Sequence, residues 1–128
     1  MKKGGILHPE LCALLASTGH TDHVTICDRG FPVPFGPQRI DLALVDDIPT
    51  VPDVLRAVSG EFTYDRIIIT REMTEVSPQR VEELRAIAGD VPLEIMSHVD
   101  FKHLCESARA TVRTGDSTPY ANIIIVSG

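Results

Sequence analysis

The sequence predicts a single-domain α/β protein: a mainly parallel sheet with helices on both faces and an antiparallel C-terminal strand. Three observations lead there. Short runs rich in Ile and Val alternate with stretches whose apolar residues fall at helical spacing, the pattern of parallel βαβ units. The core has to be built from Ile, Val, Leu and Ala, because 43% of the residues are hydrophobic but only 5% aromatic, a composition that suits strands buried under helices. Finally, 128 residues fit one domain, and no repeat, low-complexity stretch or Gly/Ser linker divides them.

The elements follow in order. Pro9 at a first helical position, Leu11, Leu14 and Leu15 on one face, and Gly19 as a stop predict a helix over 9–18. Val24 to Cys27 reads as a short buried strand. The segment DRGFPVPFGP, 28–37, holds too much Gly and Pro for helix or central strand and is expected to be a loop. Ile40 to Val45 is a second apolar run, and 51–59 a helix with Val51, Val54, Leu55 and Val58 on one side. Strands over 66–70, 93–96 and 110–114 alternate with helices over 78–88 and 99–108. The last strand, 123–126, follows a connection too short for a crossover helix, so it is expected to run antiparallel to its predecessor.

Charge and cysteine content exclude several functions. A net charge of -6 and a pI near 5.2 leave no basic face for nucleic acid. No stretch of about 18 apolar residues offers a membrane span, and His8, Pro9 and Glu10 interrupt the first apolar runs, unlike a signal peptide, so a cytoplasmic location is expected. Cys12, Cys27 and Cys105 are widely spaced in apolar surroundings and read as small buried hydrophobes. No GxGxxG, P-loop or GxSxG motif is present.

In open α/β sheets, sites form beyond the carboxyl ends of the parallel strands. Asp28 follows the first strand and His98 follows the strand ending at Met96. Tyr120 and Asn122 precede the last strand, and an antiparallel strand brings them to that same edge. Each residue also has a purely structural reading: Asp28 as a turn cap, His98 as a helix N-cap, Tyr120 as an amphipathic core residue. Their predicted convergence favours a shared site. His20, just past a helix terminus and close to Asp22, is placed where an imidazolium is favoured, which suits a general acid. His20, Asp22 and His23 also contain metal-ligand residue types, though at no established zinc spacing. Asp46 and Asp47, and the segments around Glu61 and Glu72, read as solvated turns and charged surface.

The motifs GHTD (19–22), CDRGFP (27–32), RIDLAL (39–44) and PYANIII (119–125), with the opening MKKGGILHPEL and the tail TGDSTPYAN, resemble the D-ribose pyranase family from end to end. That family stands beside the fucose mutarotases, whose corresponding motifs are GHGD and YGN. The resemblance implies a cytoplasmic enzyme that interconverts the β-pyranose and β-furanose forms of D-ribose with no metal or organic cofactor. It also implies His20 as proton donor and Asp28, His98, Tyr120, Ala121 and Asn122 as sugar ligands. The family's ring-like homo-oligomers imply a decamer of two pentamers. Arg29 stands where the family pattern leads one to expect a small residue, and it could meet sugar, a neighbouring subunit or nothing.

Two other functions stay open at this level, besides a fucose-type or broader sugar specificity. One is a non-catalytic sugar-binding protein using the same edge; the other is a metal-dependent hydrolase built on His20, Asp22 and His23. One geometric difficulty is already visible. A strand of about four residues separates His20 from Asp28 by roughly 13 Å, so both can serve one substrate only if residues 20–23 fold back or a neighbouring subunit supplies one of them.

Overall fold

The computed structural model describes residues 1–128. Its elements are α1 (Pro9–Ser17), β1 (His23–Cys27), β2 (Gln38–Asp41), α2 (Val51–Ser59), β3 (Tyr64–Thr70), α3 (Arg71–Val76), α4 (Pro78–Ala88), β4 (Leu93–Met96), α5 (His98–Cys105), β5 (Ala110–Arg113) and β6 (Ile123–Ser127). One sheet runs in the order β2-β5-β1-β6-β3-β4. β1 and β2 both pair parallel with β5, and β3 pairs parallel with β4, while β6 pairs antiparallel with β1 and with β3. Five strands therefore point one way and β6 alone points the other. The expected reversal of the last strand is present, but β6 sits between β1 and β3 rather than beside β5.

That insertion explains the uninterrupted IIIV run. A strand covered on both faces and paired on both edges exposes neither set of alternating side chains, and every residue of β6 is buried. Its alternate residues feed two unequal clusters. Ile123 and Ile125 join Val24, Ile26, Ile40, Ile67, Ile69 and Val112 beneath α1, α2, α3 and α4. Ile124 and Val126 join Ile68, Cys27 and Phe31 beneath α5, which contributes Phe101 and Cys105. Helices thus cover both faces, four against one. Full burial of a Leu, Ile or Met side chain contributes about 1.5–3 kcal/mol, so the larger cluster, with Leu55, Met73 and Leu84 wholly enclosed, carries most of the stability.

Several boundaries depart from expectation for local reasons. α1 ends at Ser17 because the Ser17 and Thr18 hydroxyls both donate to the Leu14 carbonyl, and Thr18 is extended; Gly19 is not the stop. The 40–45 run leaves the sheet after Asp41, and Leu44 and Val45 are exposed. β3 begins at Tyr64, a buried residue within the stretch expected to be charged surface, and Glu61 beside it accepts the Ile6 amide. α3 lies outside the elements that the sequence pattern predicts: Thr70 ends β3 and also caps the next helix, its hydroxyl accepting from the Met73 amide, and Met73 is the one residue α3 buries. In α5 the N-cap is Ser97, whose hydroxyl accepts from the Asp100 amide, so His98 is the first helical residue rather than the cap.

The consequence is one edge at which many distant segments meet. Five strands deliver their carboxyl ends to it, and β6 starts from it. Residues 28–31, 70–72, 97–98 and 114–122 are accordingly neighbours despite their spread along the chain.

Candidate active site

A cleft of about 240 Å³ opens at this edge, lined by Asp28, Gly30, Phe31, Pro32, His98, Pro119, Tyr120 and Asn122. Drug-sized ligands occupy cavities of about 300–1,000 Å³, so this one suits something of monosaccharide size. Four residues selected from the sequence therefore do converge.

Asp28 leaves β1 with its amide donating to the Asn122 side-chain oxygen at 2.8 Å. Its carboxylate accepts the Gly30 amide at 2.9 Å in an Asx turn. Burial pushes the Asp28 carboxyl above the ordinary value, helped by the nearby Asp116 charge and opposed by donors at Gly30, Asn122 and Phe31. A carboxylate with remaining lone pairs at a cleft wall is an acceptor suited to vicinal hydroxyls.

His98 enters from the first turn of α5. Its amide donates to the Glu72 carboxylate at 3.0 and 3.3 Å. Its ring is sandwiched rather than hydrogen-bonded: it stacks on Phe101 at 6.4 Å and 9°, and meets Phe31 and Tyr120 edge-on at 6.3 and 5.2 Å. Nδ1 is buried without a partner. Aromatic packing thus fixes the orientation of the ring and leaves hydrogen-bonding capacity unspent.

Tyr120 has φ of 58°, the left-handed region that a bulky residue rarely occupies. Bonds from the Asn122 amide to the Tyr120 carbonyl at 2.7 Å and from the Ala121 amide to the Thr118 carbonyl at 3.2 Å make the tight reversal. The reversal sends Tyr120 and Asn122 to the cleft and Ala121 inward. Ala121 is fully buried in the larger cluster, so only its main chain is available at the edge.

His20 is elsewhere. The Thr21 amide donates to the Ser127 carbonyl and the Ser127 amide to the Asp22 carbonyl, which places 20–22 beside the last residue of β6, at the opposite edge of the sheet. Residues 22 to 28 span about 20 Å of extended chain. No fold-back occurs within the chain, and His20 is exposed. Asp22 accepts the Gly19 amide and lies 3.7 Å from Arg109, while His23 Nε2 lies 3.0 Å from the Leu104 carbonyl. These commitments separate the three side chains proposed for a metal site, and no group of three or more His, Cys, Asp or Glu is arranged to hold an ion.

Arg29 turns away from the cleft lining to pair with Asp46 at 2.7 Å. Asp47 is likewise engaged rather than merely solvated, because its carboxylate accepts the Ser117 amide and hydroxyl, which holds its carboxyl below the ordinary range. Sequence reasoning missed Glu72, Phe31 and Phe101. Glu72 follows the end of the third predicted strand, so the rule that selected Asp28 and His98 could have found it. The two phenylalanines carried no such signal.

Residues 1–128 match the model of the RbsD / FucU transport protein family, and the chain belongs to that family. Among its relatives, the chain is 46% identical to the D-ribose pyranase of Geobacillus thermodenitrificans, with 100% of this chain and 97% of the relative covered. It is 44% identical to the D-ribose pyranase of Coprothermobacter proteolyticus, at 100% and 98% coverage. The structure of Bacillus subtilis RbsD complexed with D-ribose superposes with a TM-score of 0.95 at 38% identity, covering 100% of this chain and 98% of that one. The fucose mutarotase of Streptococcus pneumoniae, solved with L-fucose, shares the fold at a TM-score of 0.78 and 21% identity, over 95% and 93% of the two chains.

Proposed function

We propose that the chain is a D-ribose pyranase, a cofactor-independent isomerase interconverting β-D-ribopyranose and β-D-ribofuranose. The observation that carries this reading is the convergence of Asp28, His98, Tyr120 and Asn122 on one small cleft, in a chain 46% identical over its full length to a D-ribose pyranase.

The reaction needs no redox or group-transfer chemistry. A proton reaches the ring oxygen as the anomeric hydroxyl loses one, the ring C–O bond breaks to give the aldehyde, and after rotation a different hydroxyl closes on the carbonyl, losing its proton as the carbonyl oxygen takes one up to become the new anomeric hydroxyl. Positioned acid and base groups contribute about 10² to 10⁴ in rate, sufficient for an exchange that water already permits. Asp28 accepts sugar hydroxyls. Tyr120 and Asn122 supply further polar contacts, with the main chain at Ala121 between them. His98 uses its unpartnered imidazole capacity on the sugar, in an orientation set by Phe101 and Phe31.

His20 is the proposed proton donor, and its position across the sheet makes the site intermolecular: His20 of one subunit meets the cleft of the next. A closed homo-oligomer, which we propose to be a decamer of two pentameric rings, supplies that juxtaposition at every interface. Exposed Leu7, Phe35, Leu44, Val45 and Ile48 offer apolar surface for such contacts. The proposed location is the cytoplasm; no helix is long and apolar enough to cross a membrane.

Saturation-transfer NMR on D-ribose tests the reading directly. Acceleration of pyranose–furanose exchange is expected, with His20→Ala abolishing it while leaving sugar binding intact. Binding without acceleration would make the protein a non-catalytic sugar carrier. A panel including L-fucose decides specificity, and faster exchange of fucose than of ribose would overturn the assignment of substrate.

A further inference from the structure

We infer that Arg80, which lies on α4 outside the cleft lining, is the positioning residue for Tyr120; the inference rests on the mutarotase reading of the cleft. Arg80 is mostly buried, with 14% of its side chain exposed, beside an Asp116 side chain that is wholly enclosed. One nitrogen, Nη2, donates to both Asp116 Oδ1 at 3.0 Å and Thr118 Oγ1 at 2.8 Å. Nη1 pairs with Glu83 at 2.9 Å, which holds the guanidinium in place from its own helix. A planar fork that serves two acceptors on one loop fixes the loop's direction as well as its charge balance.

Asp116 passes the constraint on in three directions. Its Oδ2 accepts the Val51 amide at the start of α2, and its Oδ1 also accepts the Thr118 amide. Its carbonyl accepts the Arg29 amide, next to Asp28. Just before α4 begins, the Ser77 hydroxyl donates to the Pro119 carbonyl at 2.7 Å. The residues leading into Tyr120 are thus gripped from outside the cleft, chiefly by α4.

Such a grip has a job at this point. A bulky residue in the left-handed region is strained and persists only where its surroundings over-determine it. Tyr120 is that residue, and its ring stands 5.2 Å from His98. When the Arg80 bridge is removed, residues 118–120 relax toward ordinary backbone and the Tyr120 ring departs from His98.

The chain has two tyrosines, Tyr64 and Tyr120, so the protein labelled with 3-fluorotyrosine gives two ¹⁹F resonances, assigned through Tyr64→Phe. Tyr64 lies in β3 with its hydroxyl 2.7 Å from Ser59, and it serves as the internal reference. Arg80→Gln and Thr118→Val are expected to shift or broaden the Tyr120 resonance and leave Tyr64 in place. The ribose concentration for half-saturation should rise about 10-fold for Arg80→Gln, since small misplacements remote from the chemistry cost up to about 100-fold. Arg80→Lys, which keeps the charge but not the fork, should recover part of that loss. Thr118→Val leaves the Arg80–Asp116 pair intact, so it decides the matter alone should Arg80→Gln fail to fold. An unmoved Tyr120 resonance with unchanged half-saturation overturns the inference, and so does a common shift of both tyrosines. Failure of the wild type to speed ribose exchange overturns the mutarotase reading instead, while the ¹⁹F spectra still decide the role of Arg80.

Discussion

The amide of Asp28 and the side-chain oxygen of Asn122 are hydrogen-bonded at 2.8 Å, although 94 positions separate them in the chain. The bond ties the outgoing end of β1 to the incoming end of β6. The cleft therefore takes its shape from the seam between these two strands.

At that seam, affinity and stability are set against each other. Because burial raises the Asp28 carboxyl, the folded state holds its proton more tightly than the unfolded state does. Stability contributed by this group accordingly falls as pH rises from the ordinary carboxylate value through the raised one, and at neutral pH the ionised group is a liability. Asp28→Asn is expected to raise the thermal midpoint at pH 7, with the difference vanishing below the ordinary carboxylate value. It should weaken ribose binding about 10- to 100-fold, as loss of a charged hydrogen-bond partner does. Calorimetry across pH checks both, and a lowered midpoint at pH 7 with retained affinity contradicts the assignment.

The ring of His98 depends on the smaller cluster. Phe101→Leu should cost about 1–3 kcal/mol in stability, since it leaves a cavity at a fully buried position, and also weaken ribose binding, because the face on which His98 stacks is lost. Ile67→Ala, mid-way along β3 and deep in the larger cluster, should cost about 2–5 kcal/mol yet leave the affinity of the folded protein unchanged. Denaturant titration with isothermal calorimetry separates the two. Equal effects on binding would show that the cleft does not rest on the α5 side.

Cysteine reactivity should divide sharply. Burial pushes the Cys105 thiol up to about 11 and the Cys27 thiol well above its ordinary value, the latter assisted by Asp28. Cys12 is only partly buried. Iodoacetamide at neutral pH should alkylate Cys12 alone in native protein and all three cysteines in guanidinium, as read by mass spectrometry. Labelling of Cys105 at the rate of Cys12 would mean that α5 opens readily.

The proposed sharing of each site between two subunits predicts complementation. His20→Ala chains, inactive alone, and Asp28→Ala chains, with little exchange at ribose concentrations far below half-saturation, should recover about a quarter of wild-type exchange when refolded together at equal amounts, because random mixing leaves that share of interfaces with both residues. No recovery would place His20 outside the reacting site.

The sheet and its edge were legible from residue pattern because they depend on local periodicity: the IIIV and RIIIT runs have few other uses, and the strand-end rule selected Asp28 and His98. The position of β6 was not legible. Antiparallel direction follows from a short connection, whereas neighbour choice depends on which strands leave an unpaired edge, a property of the assembled sheet. α3 was hidden because six residues with one buried side chain carry no measurable period. Arg80 and Asp116 lie 36 residues apart, and nothing in either local sequence signals the pairing. The doubt about His20 and Asp28 was legible as a length, and the extended backbone of β1 keeps them apart.

The reversed central strand also governs how the molecule can be made. β6 joins two partial sheets, β2-β5-β1 and β3-β4, and it follows every other strand in the chain. Until those residues have left the ribosome, β1 and β3 each present a bare inner edge rich in isoleucine and valine, open to any extended segment that reaches it. Completion of the barrier against aggregation and completion of the cleft are therefore the same event, and a nascent chain has neither until β6 slots home.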